Sequence, residues 1–204
     1  MKLWYSPTSP FVRKIITAAE ELGLSDRIEI IVASTSPVNR HAGLAALNPV
    51  GKIPVMVLHD GQVLYDSRVI CSYLDSLKPR KRLTPAKGPD RFRSMTLEAL
   101  GDAIMDAAVL TRYELAVRPE NLRWQDWVDG QMTKVRAGVD SLEADWMNFL
   151  KRPLTTGHIS AAAALGYLDF RFADDDWRKS RPKLAKWYDK FAKRPSWKAS
   201  MPTG

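Results

Sequence analysis

The chain has 204 residues, 45% of them hydrophobic, and a net charge of +8 from 31 Lys+Arg against 23 Asp+Glu. That length and apolar content predict one large or two small packed domains and exclude a disordered chain. No apolar run approaches the ~20 residues needed to cross a bilayer. The early Ser6-Pro7-Thr8-Ser9-Pro10 is unlike the apolar core of an export signal. With a single Cys no intramolecular disulfide forms, so the expectation is a reduced, cytoplasmic chain without a membrane partner. The positive balance favours anionic partners in general. The charges are mostly interspersed, however, and the densest basic cluster, Lys78-Pro79-Arg80-Lys81-Arg82, lacks interleaved aromatics. It reads as a solvated linker, and nucleic acid is not an expected partner.

In chain order, Lys2 to Tyr5 reads as a short strand. Ser9-Pro10 then opens a helix: Ser is a preferred N-cap and Pro a preferred first helical residue. Phe11, Val12, Ile15, Ile16, Ala19 and Leu22 keep helical spacing, and Gly23 supplies the stop. Arg27 to Val32 reads as a second strand and Arg40 to Leu47 as a short helix. Asn48-Pro49-Val50-Gly51 is a turn, and Val55-Met56-Val57-Leu58 a buried strand. Asp60-Gly61 predicts a two-residue type I′ turn into a return strand at Gln62-Val63-Leu64. Asp66-Ser67 offers side-chain oxygens where a helix to Leu77 begins.

Beyond Pro79 the character changes. Between Pro89 and Pro195 no convincing strand occurs. Arg91 to Val117 and Trp124 to Leu150 read as long helices, Ile159 to Phe172 as a buried central helix, and Pro182 to Lys193 as the last of the array. The predicted fold class is therefore α/β followed by all-α. Residues 1–78 form a mixed four-stranded sheet with helices, 79–88 a linker, and 89–204 a helical domain.

Two helix N-termini, one cation and one Ile-Pro step stand out as chemistry. A hydroxyl at a helix start, as at Ser9, can donate to a bound thiolate, and helix N-termini lower thiol pKa values. Ile53-Pro54 is the bond type for which cis costs only roughly 0.5–1 kcal/mol, and a cis bond there predicts an outward-turned Ile53 backbone. With Lys52, Asp66 and Ser67, these features suit an extended, peptide-like ligand bearing carboxylates and a thiol. Other chemistries do poorly. His41, His59 and His158 lack metal-ligand spacing with Cys71 or with one another. No G-x-S-x-G, P-loop or G-x-G-x-x-G occurs. Cys71 reads as a small buried apolar residue.

The order Ser9-Pro10-Phe11, then Asn48-Pro49-x-Gly51-Lys52-Ile53-Pro54, then Asp66-Ser67 resembles the glutathione S-transferase superfamily. Ala164 to Arg171 looks like its small bacterial members. The resemblance implies a thioredoxin-like first domain, a helical second domain, a homodimer, and glutathione as co-substrate with no metal. It implies that Ser9 hydrogen-bonds the glutathione sulfur, with Tyr5 the runner-up and Ser6 a third possibility. Ile53, before Pro54, would pair backbone to backbone with the cysteinyl part. Asp66 and Ser67 would hold the γ-glutamyl end, Lys52 a carboxylate, and Phe11 would line the site. An electrophilic small molecule would lie against the helical domain, with Met105, Tyr113 and Trp124 as candidates. The implied activity is conjugation of the thiolate to that electrophile in a detoxifying role; a non-catalytic glutathione-binding or protein-interaction role is the alternative on the same fold.

Two departures bear on this. Asp66 stands where family members often carry Glu. Thr155-Thr156-Gly157-His158 puts His where the buried helix usually has Asp, which predicts a weakened helix start. Ser9 and Val12 occupy both positions of a Cys-Pro-x-Cys motif, which argues against a glutaredoxin-like or dehydroascorbate-reductase role.

Overall fold

The computed structural model describes residues 1–202. The described residues divide into two compact units, 1–86 with the stretch from 195 onward, and 87–194.

In the first unit, strand β1 (Lys2–Tyr5) leads to helix α1 (Pro10–Leu22). Ser9 caps α1 in extended backbone geometry, with Pro10 at the first helical position. Val12, Ile15, Ala18, Ala19 and Leu22 form its buried stripe. Gly23, at φ 64°, ends it: its N–H donates to Glu20 O (3.1 Å) and the Leu24 N–H to Ala19 O (2.9 Å). These are the two bonds of a Schellman stop. A 3-10 turn (Ser25–Arg27) precedes β2 (Glu29–Val32). Then come α2 (Ala42–Leu47), β3 (Val55–Val57), β4 (Val63–Leu64) and α3 (Ser67–Ser76). The sheet order is β2-β1-β3-β4; β1 and β2 are parallel and the other pairs antiparallel.

The β3–β4 connection corrects the sequence reading. Leu58 N–H donates to Gln62 O (2.8 Å), so three residues, His59, Asp60 and Gly61, lie between the paired positions. Gly61 is left-handed (φ 86°), while no non-glycine residue has positive φ. A type I′ turn needs positive φ at both central residues, which Asp60 does not adopt. Asp60 instead uses its carboxylate to accept the Gln62 N–H at 3.0 Å.

The chain from Lys78 to Gly88 holds no helix or strand. The buried carboxylate of Asp75 ties it down by accepting the N–H groups of Leu83 and Thr84. The final helix, α9, groups with the first unit, although the sequence reading placed that stretch with the helical domain. It spans Pro195–Ala199 and packs on α1. Arg13 stacks on the Trp197 ring at 3.4 Å, and Thr17 Oγ1 lies 3.0 Å from Ser200 Oγ.

The second unit contains α4 (Pro89–Ala116), a 3-10 turn (Glu120–Leu122), α5 (Gln125–Asp145), α6 (Met147–Leu150), α7 (Thr156–Arg171) and α8 (Pro182–Phe191). Helix α7 is buried from Thr156 to Leu168 and lies mainly against α4. Two glycines permit the approach. A Cβ on Gly101 would sit 2.6 Å from the Ser160 backbone, and one on Gly157 2.6 Å from Ser94 O. Ser160 Oγ fills the seam, 3.0 Å from Glu98 O and 2.7 Å from Asp102 Oδ1.

The start of α7 also departs from expectation. His158 completes its capping box instead of weakening it. Nδ1 accepts the Thr155 N–H (3.2 Å) and lies 2.8 Å from the Thr155 hydroxyl, while Nε2 lies 3.1 Å from Phe149 O. These partners require a neutral ring with its proton on Nε2. Burial first, and then the Arg194 charge, pushes the imidazole down to about 4, against the raising influence of the Phe149 carbonyl. The ring also packs beside Phe149 and Trp187. An Asp would accept at the cap but would lose the bond to the Phe149 carbonyl, which would keep only backbone donors such as the Arg152 N–H at 2.9 Å.

Two outcomes are expected. His158→Asp lowers the melting temperature, and a rise would show that the acidic box outweighs the ring. The unfolded chain takes up a His158 proton near pH 6.5, whereas the folded chain refuses it down to about 4. The stability contributed, on the order of 3 kcal/mol at about 1.4 kcal/mol per unit, is therefore complete above pH 6.5 and lost as pH falls towards 4. Denaturant titrations at pH 7 and 4.5 read this, and the His158 part of the slope disappears in His158→Gln.

Candidate active site

Three loops of the first unit converge at one end of the sheet. Trp4 opposite Val55 sets the end of β1 beside the start of β3, and Met56 opposite Leu64 brings the end of β4 to the same side. The loop after β1 carries Ser9, the approach to β3 carries Lys52, Ile53 and Pro54, and the step after β4 carries Asp66 and Ser67. The register thus groups these residues of the predicted set.

At Ser9 the N-cap and the proposed chemistry coexist. Ser9 Oγ accepts the Val12 N–H at 3.3 Å. That uses acceptor capacity and leaves the hydroxyl proton to be donated. Pro10 has no N–H, and the Arg13 N–H donates to Ser9 O at 3.1 Å. In the first turn the Phe11 N–H therefore has no partner among the described residues. A helix start with a free N–H and a free hydroxyl proton favours an anion. Of the rival hydroxyls, Ser6 Oγ is engaged with Thr8 Oγ1 at 3.3 Å. Tyr5 has its phenol pushed up by burial, which keeps it protonated.

The Asn48–Gly51 turn is held by partners that local sequence does not announce. Buried Asn48 donates through Nδ2 to Lys52 O (2.9 Å) and accepts the Val50 N–H on Oδ1 (3.3 Å). Thr35 Oγ1 donates to Gly51 O (3.1 Å), and the Arg40 guanidinium donates to Pro49 O. Gly51 sits at φ 66°. The Ile53–Pro54 bond is cis, as the sequence suggested, and so is Tyr65–Asp66. Among the described residues neither the Ile53 backbone nor the Lys52 ammonium takes a partner. Asp66 caps α3, its Oδ1 accepting the Arg68 N–H at 2.9 Å, and it remains exposed, with buried Ser67 next in chain. The three loops therefore offer a cation, an exposed carboxylate, a free backbone edge and a free hydroxyl proton.

The residues predicted in the helical unit fare differently. Met105 is fully buried in α4 and presents no surface, because its position faces the core of that unit. Tyr113 is half-buried, and Trp124 is 62% exposed. Trp124 is positioned by the buried Glu114 carboxylate, which accepts its backbone N–H at 2.9 Å and the Arg118 Nε–H at 2.8 Å. Sequence reasoning missed Glu114. The signal was an acid ten residues before a helix start, too distant for a local capping pattern. Among the described residues no group of His, Cys, Asp or Glu is placed to hold a metal ion, and no helix is long and apolar enough to cross a membrane.

Comparison with known proteins names the class. Residues 8–77 match the family pattern for the glutathione S-transferase N-terminal domain, and residues 125–190 the one for its C-terminal domain. An uncharacterized GST-like protein of Escherichia coli (strain K12), YibF, is 33% identical, covering 99% of this chain and 98% of its own. A glutathione transferase family member from Pseudomonas fluorescens Pf-5, solved with bound glutathione, is 45% identical with a TM-score of 0.97, covering 100% and 99% of the two chains. A second structure of a family member from that organism, with bound S-(propanoic acid)-glutathione, gives 44% identity and a TM-score of 0.93 over both chains in full. The chain belongs to the glutathione S-transferase superfamily, with the thioredoxin-like and helical parts of that fold.

The Asp66 cap yields a stability prediction. Asp66→Ala costs about 1 kcal/mol, whereas Asp66→Asn, an equally good N-cap, stays within a few tenths. Urea denaturation of the two variants checks it; equal losses would mean that the side chain does not cap α3.

Proposed function

We propose that this protein is a glutathione transferase: it binds glutathione at the three converging loops and joins its thiolate to an electrophilic small molecule. The observation that carries the reading is the start of α1, where Ser9 keeps a hydroxyl proton to donate beside the unpartnered Phe11 N–H. An ordinary cysteine thiol has a pKa of about 8.5. Each unit of lowering needs about 1.4 kcal/mol of preference for the anion. One charge-assisted hydrogen bond, roughly 1.5–3 kcal/mol, supplies one to two units. Ser9 is thus an anion stabiliser and not a base. The thiolate attacks the electrophilic carbon, a C–S bond forms, and the displaced group departs with the bonding electron pair.

Around the sulfur, Ile53 pairs its backbone with the cysteinyl part after the cis-Pro54 step. Lys52 takes a carboxylate, Asp66 the γ-glutamyl ammonium, Ser67 the γ-glutamyl carboxylate, and Phe11 lines the site. Tyr113 and Trp124 are the helical-unit residues assigned to the acceptor. A sulfur-substituted glutathione like the one bound in the Pseudomonas relative is the kind of product this chemistry makes. Family membership supports the accompanying proposals of a homodimer, a cytoplasmic setting and a detoxifying role.

The test follows the thiolate by its ultraviolet absorbance in the binary complex as pH is varied. Ser9→Ala raises the pKa of bound glutathione by one to two units and lowers the rate with 1-chloro-2,4-dinitrobenzene at neutral pH, while Tyr5→Phe leaves both near wild type. Normal values in Ser9→Ala with losses in Tyr5→Phe would transfer the role to Tyr5. Glutathione binding without turnover would leave a binding protein. Both Asp66→Ala and Asp66→Asn weaken glutathione binding, since each removes the charge.

A further inference from the structure

Beside its buried apolar stripe, α1 carries polar residues at every fourth position: Arg13, Thr17 and Glu21. Residues at that spacing form one row along a helix. The stretch from Ser196 to Met201, in the same unit, engages all three. The Arg13 guanidinium lies 3.4 Å from the Trp197 ring centroid, and it donates through Nε to Ser200 Oγ (3.4 Å) and through Nη2 to Met201 Sδ (3.1 Å). One turn on, Thr17 Oγ1 lies 3.0 Å from Ser200 Oγ. Ser200 gives its own proton to Trp197 O (2.9 Å), so Thr17 is the donor there and the Ser200 hydroxyl is saturated. A further turn on, Ser196 Oγ donates to Glu21 Oε1. Arg13, Thr17, Ser196 and Trp197 are all buried.

Ser9 is the preceding member of the same row, four residues before Arg13. The two are joined directly, since the Arg13 N–H donates to Ser9 O at 3.1 Å. Apolar burial is non-directional and leaves a helix free to slide or turn against its neighbours. Hydrogen bonds weaken steeply with distance and angle. Contacts on three successive turns therefore fix both the axial position and the rotation of α1. The donors at its start depend on that placement. A displacement of about 1 Å at a reacting centre can cost as much as about 10²-fold in rate.

We propose that Arg13 and Thr17, gripped by Trp197 and Ser200, are positioning residues for the transferase reaction. They hold the Ser9 hydroxyl and the Phe11 N–H where the glutathione sulfur is to lie. They act through α1 and not by contact with the reacting atoms. The inference rests on the Ser9 reading given above.

The test has two arms on the full chain. Both use Trp197→Ala and, because loss of a buried ring can prevent folding, the milder Ser200→Ala. The first arm needs no ligand. It follows amide hydrogen exchange at Val12 and Arg13, whose N–H groups bond Ser9 Oγ and Ser9 O. Exchange there speeds up tenfold or more, while the Ile70 amide, bonded to Asp66 O at the start of α3, keeps its wild-type rate. Trp197→Phe, which leaves a ring for Arg13 to stack on, restores protection. The second arm reads the thiol pKa of bound glutathione, which rises by at least half a unit. Binding at acid pH, where the sulfur stays protonated, changes less than twofold. In a Ser9→Ala background the same substitutions give no further rise, because nothing is left to position. Wild-type exchange at Val12 and Arg13, or an equal increase at Ile70, overturns the proposal. So does an unshifted pKa, or a shift that persists undiminished in Ser9→Ala. A wild-type pKa in Ser9→Ala alone refutes the Ser9 reading and this inference with it, and that single variant tells the two failures apart.

Discussion

One pairing, Trp4 opposite Val55, governs where the chemistry of the first unit lies. Because β1 and β3 are antiparallel, the residues leaving β1 and those entering β3 meet at the same end of the sheet. The second antiparallel step, β3 to β4, returns the chain to that end before α3 starts. A slip by one residue would turn Leu3 and Met56, both fully buried, towards the opposite face. The cost of exposing them fixes the register. The register in turn gathers Ser9, Ile53 and Asp66 from positions more than forty residues apart in the first case and thirteen in the second. The placing of the proposed ligand edge is thus a consequence of core packing and needs no separate scaffold.

At the same end, capping and the proposed binding draw on different capacities of the same atoms. The Ser9 hydroxyl accepts from Val12 to close the first turn and still owns a proton. Asp66 accepts the Arg68 N–H with one oxygen while its carboxylate stays exposed. A hydroxyl has one donor and two acceptor sites, and a carboxylate about four acceptor sites. Structural duty therefore does not exhaust either group. The plain reading of Ser9-Pro10 as a helix start and the functional reading are compatible, and the local motif alone could not choose between them.

What was legible in the sequence was local. Ser9 and Gly23 at the ends of α1, the buried apolar stretch of α7 and the Ile53–Pro54 step each depend on a few adjacent residues, and the structure has them where the pattern put them. What was illegible depends on partners far along the chain. Thr35 and Arg40 hold a turn whose own residues say nothing of them. Arg13, Thr17 and Ser200 join the last helix to the first, against its position in sequence. The Asp60-Gly61 pair misled for another reason. Its usual type I′ geometry demands positive φ at Asp60, and the three-residue connection spares it that by placing only Gly61 there.

His158 shows why a family departure cannot be weighed by the residue alone. At an exposed helix start, imidazole in place of carboxylate would lose the attraction of the helix dipole for negative charge. This start is not exposed: His158 is 2% accessible. In such a place a carboxylate would face a desolvation penalty that the dipole, worth at most ~2 kcal/mol, covers only in part. A neutral ring escapes it. It also brings a donor that a carboxylate lacks, and the Phe149 carbonyl uses it. The substitution exchanges an acidic cap for a neutral one that ties the start of α7 to α6. The gain depends on a carbonyl nine residues upstream that a four-residue capping motif cannot contain.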